Sequence, residues 1–124
     1  FYLKDSAPPV QTLREYGVAM AIGSDLNPGS SPVHDLWSCA TMACILQGFT
    51  PREAILGITL QGGKAIADPK AGFLGLDSHA DCIIIRPPPG EPPTYESIIQ
   101  HLNGHRVEAV ISNGKIIFSN LPTL

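Results

Sequence analysis

Apolar and polar positions along the chain predict helices first and short strands later. Residues 8–16 begin with two prolines, as helices often do, and Gly17 is a residue type that commonly ends a helix. Every residue from 18 to 22 is apolar, and only a strand covered on both faces can be apolar at each position. We therefore predict a helix followed by a buried parallel strand over residues 18–23.

A longer helical pattern follows a polar turn. Apolar side chains recur at helical spacing from Leu36 to Ile45. Ser31 is predicted to cap this helix, with Pro32 as its first residue and Gly48 at its end.

A capping box predicts the start of the next helix. The hydroxyl of Thr50 can accept a hydrogen bond from the amide of Glu53, and the Glu53 carboxylate can accept one from the amide of Thr50. Gly57 and the Gly62-Gly63 pair are then expected to break the pattern into short helical pieces that extend to Ala67.

From Asp68 the pattern changes to short strands and turns. Strands are predicted over residues 80–86, 107–112 and 115–119, and Asn113-Gly114 between the last two is a strong hairpin signal. A proline-rich loop over residues 87–93 leads to a predicted helix near residues 94–103. This change of pattern predicts a domain boundary near residue 68.

Composition narrows the class of protein. Of the 124 residues, 44% are hydrophobic and only 15% are charged, against about 25% charged in an average globular chain. A surface so poor in charge suits a chain that packs against more protein, and with Phe1 at its start we expect the carboxyl-terminal part of a longer protein.

The net charge of −3 and the lack of a basic run argue against nucleic acid as a partner. No apolar run approaches the roughly 20 residues of a membrane span, so we expect a cytoplasmic protein.

Three cysteines, Cys39, Cys44 and Cys82, are odd in number and lack the spacing of a zinc site. Neither a disulfide framework nor a structural zinc site is indicated. We expect small buried thiols rather than reactive ones.

The stretch over residues 23–32, Gly-Ser-Asp-Leu-Asn-Pro-Gly-Ser-Ser-Pro, holds the candidate chemistry. Asp25 follows the predicted strand, and the carboxyl ends of parallel strands carry the functional groups of α/β folds. Asn27 offers a donor and an acceptor, Gly29 lets a ligand approach the backbone, and Ser30 adds a hydroxyl. A rigid, well-capped turn explains the same spacing, and the residues alone leave both interpretations open.

This stretch closely resembles the signature of imidazolonepropionases, members of the metal-dependent amidohydrolase superfamily. The resemblance continues through residues 50–66 and the predicted strands, so it covers essentially the whole chain. It implies an α/β fold: the last βα portion of an amidohydrolase (β/α)8 TIM barrel over residues 1–67, then part of a small composite β-sandwich domain over residues 68–124.

The resemblance also implies roles for four residues of the stretch. Asp25 matches the catalytic aspartate that binds a single zinc or iron ion and accepts the proton of the metal-bound water. Asn27 and Gly29 match positions that hold the product, and Ser30 matches a substrate contact. The implied reaction is hydrolysis of 4-imidazolone-5-propanoate to N-formimidoyl-L-glutamate in histidine degradation, by a protein expected to be a homodimer.

The implied metal site needs histidines that this chain does not supply in the expected pattern. The family uses a His-x-His pair, whereas His34, His79, His101 and His105 are scattered. His34 is close to the stretch, but we expect it at the helix start rather than on the metal. Because zinc takes about four ligands, we expect the other ligands to lie outside this chain, which alone would be inactive and bind no metal tightly.

Two alternatives remain open at the level of sequence. One is another amidohydrolase, such as a deaminase or cyclic imidase, from which the order Asn27-Pro28-Gly29-Ser30 would distinguish an imidazolonepropionase. The other is a non-catalytic, amidohydrolase-like module that packs against a partner. An upstream barrel carrying His-x-His would favour the enzyme over the module.

Overall fold

Five helices and three strands follow one another in the part of the chain that the computed structural model describes, residues 6–100 and 106–121. The helices are α1 (Val10–Glu15), α2 (Leu36–Gln47), α3 (Pro51–Ile58), α4 (Leu60–Ala65) and α5 (Tyr95–Ile99). The strands are β1 (Cys82–Arg86), β2 (Arg106–Ser112) and β3 (Lys115–Ser119). The described residues thus form a small α/β structure, and none of its helices is long and apolar enough to cross a membrane.

The three strands form one antiparallel sheet in the order β1-β2-β3. Asn113 and Gly114 connect β2 to β3 with φ angles of 48° and 73°, as the predicted hairpin requires. The strands and the hairpin predicted from the sequence are therefore confirmed. The predicted helix near residues 94–103 is α5 as far as Ile99, and its last three positions lie outside the described residues.

The start of α2 differs from the prediction. Asp35, rather than Ser31, caps the helix, because its carboxylate accepts hydrogen bonds from the amides of Trp37 at 3.1 Å and Ser38 at 2.9 Å. A carboxylate with two oxygens can satisfy two of the free amides at a helix start. The predicted end is confirmed, since Gly48 adopts the left-handed conformation with φ of 77°.

The capping box of α3 is confirmed, but the break after it is misplaced in the prediction. The amide of Glu53 donates to Thr50 Oγ1 at 3.2 Å, and the amide of Thr50 donates to Glu53 Oε2 at 2.8 Å. The helix ends at Thr59, with φ of −119° and ψ of −99°, whereas Gly57 lies inside α3. The Thr59 hydroxyl donates to the carbonyl of Ile55 at 2.6 Å, a bond of the kind that distorts helices.

The predicted strand over residues 18–23 does not form in the described structure. These residues lie in neither a helix nor a strand, and the amide of Ile22 donates to the carbonyl of Gly57 at 3.1 Å instead of to a neighbouring strand. Met20 and Ile22 pack against the core, while Ala19 and Ala21 are exposed. A strand needs a ladder partner, and the described residues provide none at this segment.

The core lies between the helices. It consists of six buried residues: Val10, Ala40, Ala43, Phe49, Ala54 and Ile99. Two side chains of α2 hold α5 in place, because Trp37 Nε1 donates to the carbonyl of Ile98 at 3.0 Å and Thr41 Oγ1 donates to that of Ile99 at 2.8 Å. The division into domains at residue 68 stays a prediction.

Candidate functional site

Residues 24–31 form a loop that is closed at its base by main-chain hydrogen bonds. The amide of Asn27 donates to the carbonyl of Ser31 at 3.0 Å, and the amide of Ser31 donates back to the carbonyl of Asn27 at 3.3 Å. The Ser31 hydroxyl donates to the carbonyl of Ser24. The four site residues predicted from the sequence therefore lie together in one short closed loop.

The side chain of Asn27 organises the interior of this loop. Its Oδ1 accepts hydrogen bonds from the amides of Gly29 at 2.9 Å and Ser30 at 2.8 Å, and from the Ser30 hydroxyl at 3.0 Å. Its Nδ2 donates to the carbonyl of Asp25 at 2.7 Å and to Ser30 Oγ at 2.8 Å. Both ends of the amide are engaged inside the loop, so Asn27 has a local structural role. Its contact with a product stays a prediction.

Asp25 has an unusual backbone conformation. Its φ is 47°, in the left-handed region that costs an L-residue about 1 kcal/mol. Its side chain is exposed, and its carboxylate makes no hydrogen bond to the residues that the structure describes. Strain of this kind is common at functional sites, and the carboxylate is available to a ligand.

Helix α3 supports the chain just before Asp25. Besides the hydrogen bond from the Ile22 amide, Gly57 lies close to the Ile22 side chain, since a Cβ at residue 57 would lie 3.0 Å from both Cγ1 and Cδ1 of Ile22, tighter than an ordinary contact. Residue 22 therefore lies directly on the helix backbone. This contact fixes the direction in which the chain enters the loop.

The described residues do not complete a metal centre. Among them, no three His, Cys, Asp or Glu side chains are grouped so that they could hold an ion, and Asp25 supplies a single carboxylate. His34 is exposed just before α2, as expected, and His79 Nε2 lies 3.0 Å from Asp68 Oδ2 in a separate pair. His101 and His105 lie outside the described residues.

The prediction of buried thiols is confirmed for one of the three cysteines and only partly for the other two. Cys39 is buried, and Cys44 and Cys82 are half-buried. Burial raises the pKa of Cys39, with a smaller contribution from Asp35. Burial also raises the pKa of Cys44, with a smaller contribution from Glu53. A raised pKa lowers the thiolate fraction and hence the reactivity of both groups.

Sequence reasoning missed the role of Ser31, which it assigned to the cap of α2. The hydroxyl instead bonds back across the loop to Ser24. The sequence holds no signal that separates this role from a cap, because a serine directly before a proline also suits the start of a helix.

Three curated proteins to which this chain is similar are all imidazolonepropionases. No protein-family model matches the chain. It is 34% identical to imidazolonepropionase from Alteromonas mediterranea over 116 residues, which are 93% of this chain and 26% of that protein. It is 48% identical to imidazolonepropionase from Pseudomonas paraeruginosa over 86 residues, 67% of this chain and 21% of that protein. The imidazolonepropionase of Shewanella sp. is 32% identical over 119 residues, 94% of this chain and 28% of that protein.

The similarities place the chain among the amidohydrolases, the class that the loop sequence indicated. It spans about a quarter of the length of the curated relatives that it matches most completely. Within the class, the chain belongs to the imidazolonepropionase family.

Proposed function

We propose that this chain carries part of the active site of an imidazolonepropionase, which hydrolyses 4-imidazolone-5-propanoate to N-formimidoyl-L-glutamate in histidine degradation. The observation that carries the proposal is the loop over residues 24–31. In a chain of this family, the loop presents the exposed Asp25 carboxylate beside Asn27, Gly29 and Ser30.

Asp25 is the proposed catalytic residue and one ligand of a divalent metal ion, zinc or iron, whose other ligands lie outside this chain. Such an ion, when bound, lowers the pKa of water toward about 7 and polarises a carbonyl group. The Asp25 carboxylate takes a proton from the attacking water and delivers it to the ring nitrogen as the C–N bond breaks. Its exposure and its lack of a hydrogen bond among the described residues support this role.

Asn27, Gly29 and Ser30 are the proposed substrate- and product-binding residues. Gly29 is exposed and has no side chain to hinder a ligand, while Asn27 and Ser30 are half-buried and bonded to each other. A ligand carboxylate would replace some of these loop bonds with stronger charge-assisted ones. The loop would thereby orient the ring carbonyl toward the attacking water.

For the larger protein we propose the architecture that the family resemblance implies. Residues 1–67 would belong to the last βα portion of a (β/α)8 barrel, and residues 68–124 to part of a small β-sandwich domain. The helices α1 to α4 and the antiparallel sheet are compatible with these two parts. We further propose a cytoplasmic homodimer, with the remainder of the barrel as the partner of this segment.

The test is hydrolysis of 4-imidazolone-5-propanoate by the intact protein that carries this sequence, compared with its Asp25→Asn variant at equal metal content. Loss of the proton acceptor should lower kcat by about 10³-fold or more. Asp77→Asn is a matched control, since Asp77 is also exposed and also has a positive φ of 62°, and it should keep full activity.

Two results would contradict the proposal. Full activity of the Asp25→Asn variant would exclude the catalytic role of the aspartate. No turnover by the folded, metal-loaded protein would exclude this substrate and favour a deaminase, a cyclic imidase or a non-catalytic module. Assays on other cyclic amides and on amines would then distinguish these three alternatives.

A further inference from the structure

We propose that Ser31 is a positioning residue for Asp25, an inference that rests on the proposed catalytic role of Asp25. The hydroxyl of Ser31 donates a hydrogen bond to the carbonyl of Ser24. That carbonyl belongs to the peptide group that joins Ser24 to Asp25. A rotation of this peptide plane changes the φ angle of Asp25 together with the ψ angle of Ser24, so the hydrogen bond restricts φ of Asp25.

The second peptide group of Asp25 is held as well. The carbonyl of Asp25 accepts a hydrogen bond from Asn27 Nδ2 at 2.7 Å, which restricts ψ. Thus both peptide planes that flank the Asp25 Cα are anchored by side chains of the same loop, one by Ser31 and one by Asn27. Because a φ of 47° is unfavourable for an L-residue, the two anchors keep the carboxylate where an unrestrained chain would turn it away.

The two roles of Ser31 can be separated by mutation. Its amide and carbonyl close the base of the loop through Asn27, and these main-chain bonds do not need the hydroxyl. Ser31→Ala therefore removes the anchor on Ser24 but keeps the main-chain groups that close the base, although without the anchor the base should open more often. Ser31→Thr keeps the hydroxyl and should keep the anchor.

Kinetics of the intact, metal-loaded protein test this role. Since small displacements of a catalytic group are costly, Ser31→Ala should lower kcat about 10- to 100-fold and change KM less than about threefold. Ser31→Thr should restore kcat to within about threefold of the wild type. Ser6→Ala, a change of an exposed serine outside the loop, should have no effect.

A structural readout separates this inference from the proposed function. The amide of Asn27, bonded to the Ser31 carbonyl, should exchange its hydrogen about tenfold faster in Ser31→Ala than in Ser31→Thr, because the loop opens more often. If the wild type fails to hydrolyse the substrate, the proposed function is wrong. If the Asn27 amide exchanges its hydrogen equally fast in Ser31→Ala and Ser31→Thr, the anchoring role of the Ser31 hydroxyl is wrong.

The kcat values of the Ser31 variants also decide whether the hydroxyl positions Asp25. Full kcat in Ser31→Ala, or an equal loss in Ser31→Thr, would show that the hydroxyl does not position Asp25. If Ser31→Ala does not fold, Ser31→Cys takes its place, because a thiol is similar in size but a weak donor. The proposal then expects the Cys variant to lose kcat as the Ala variant would, and full activity would overturn it.

Discussion

At the scale of single residues, the ion pair of Arg14 and Glu53 joins three helices. Arg14 Nε donates to Glu53 Oε1 at 2.7 Å and Nη2 donates to Oε2 at 2.8 Å, a bidentate pair. Nη2 also donates to the carbonyl of Gly48 at 2.8 Å. The pair connects α1, which precedes the loop over residues 24–31, to the end of α2 and the start of α3.

This pair predicts how stability depends on pH. The hydrogen bond from Arg14, ahead of all other causes, lowers the pKa of Glu53 from 4.5 to about 2. A lowered folded-state pKa contributes stability that is present above pH 4.5 and is lost as the pH falls toward about 2. Allowing for solvent screening of this half-buried pair, the loss between pH 6 and pH 3 is about 1 to 2 kcal/mol.

Substitution of Arg14 should remove most of this dependence. In the intact protein, the free energy of unfolding of Arg14→Met, measured with urea at pH 6 and pH 3, should fall less between the two pH values than that of the wild type. Arg52→Met is the matched control, because Arg52 is exposed on the same helix as Glu53, and should behave as the wild type does. Parallel pH profiles for all three proteins would show that the pair does not hold the Glu53 carboxylate.

Local chemistry explains which parts of the candidate site the sequence could predict. The capping box depends on residues three positions apart, and the structure confirms it. The cap of α2 was misassigned because Ser31 and Asp35 are both good capping residues, and only the use of the Ser31 hydroxyl by Ser24 decides between them. That Asn27 would bond within the loop also depends on its folded geometry, which spacing does not reveal.

At the scale of elements, the contact between α3 and the chain before Asp25 depends on Gly57. A Cβ at this position would lie 3.0 Å from two side-chain atoms of Ile22 and 3.4 Å from the carbonyl of Met20. We expect a large side chain there to push residues 20–22 away from the helix. The same displacement would weaken the hydrogen bond from the Ile22 amide to the carbonyl of Gly57.

We predict that Gly57→Leu destabilises the intact protein by about 1 to 3 kcal/mol through overpacking. Ile22→Ala should make room for the new side chain, so the double variant should be more stable than the sum of the single changes by at least about 0.5 kcal/mol. Urea unfolding of the four proteins measures this coupling. Simple additivity would mean that the two residues do not contact each other.

Elements that depend on residues close in sequence were predictable, whereas the conformation of residues 18–23, which depends on residues distant in sequence, was not. The hairpin between β2 and β3 is encoded by Asn113-Gly114 and flanking β-branched residues, and it forms as predicted. Residues 18–23 have the composition of a strand, but a ladder also needs hydrogen-bonding neighbours that are remote in sequence. Composition alone could not show that Gly57 would take the Ile22 amide instead.

At the scale of the whole molecule, the described core is small for the apolar surface around it. No large side chain among the described residues is fully buried. Four of the large apolar side chains that remain exposed are Leu46 at 70%, Ile66 at 73%, Leu74 at 75% and Leu76 at 97%. So much exposed apolar surface is typical of a chain that packs against further protein.

We therefore predict that the isolated 124-residue chain is molten or aggregates. It should bind a hydrophobic dye strongly and unfold without a sharp thermal transition, because its own core buries too little apolar area to offset the entropy of folding. Calorimetry and near-ultraviolet circular dichroism check this expectation. A cooperative transition with native-like aromatic signals would show that the chain is stable without a partner.

The hydrogen bonds that close the loop over residues 24–31 have a consequence for the order of folding. Each of them joins residues no more than seven positions apart. Closing so short a segment takes well under a microsecond in a typical chain, whereas contacts between distant segments form much later. The loop can thus close before the helices assemble around it. We therefore expect Asp25 to reach its backbone conformation before the rest of the site forms.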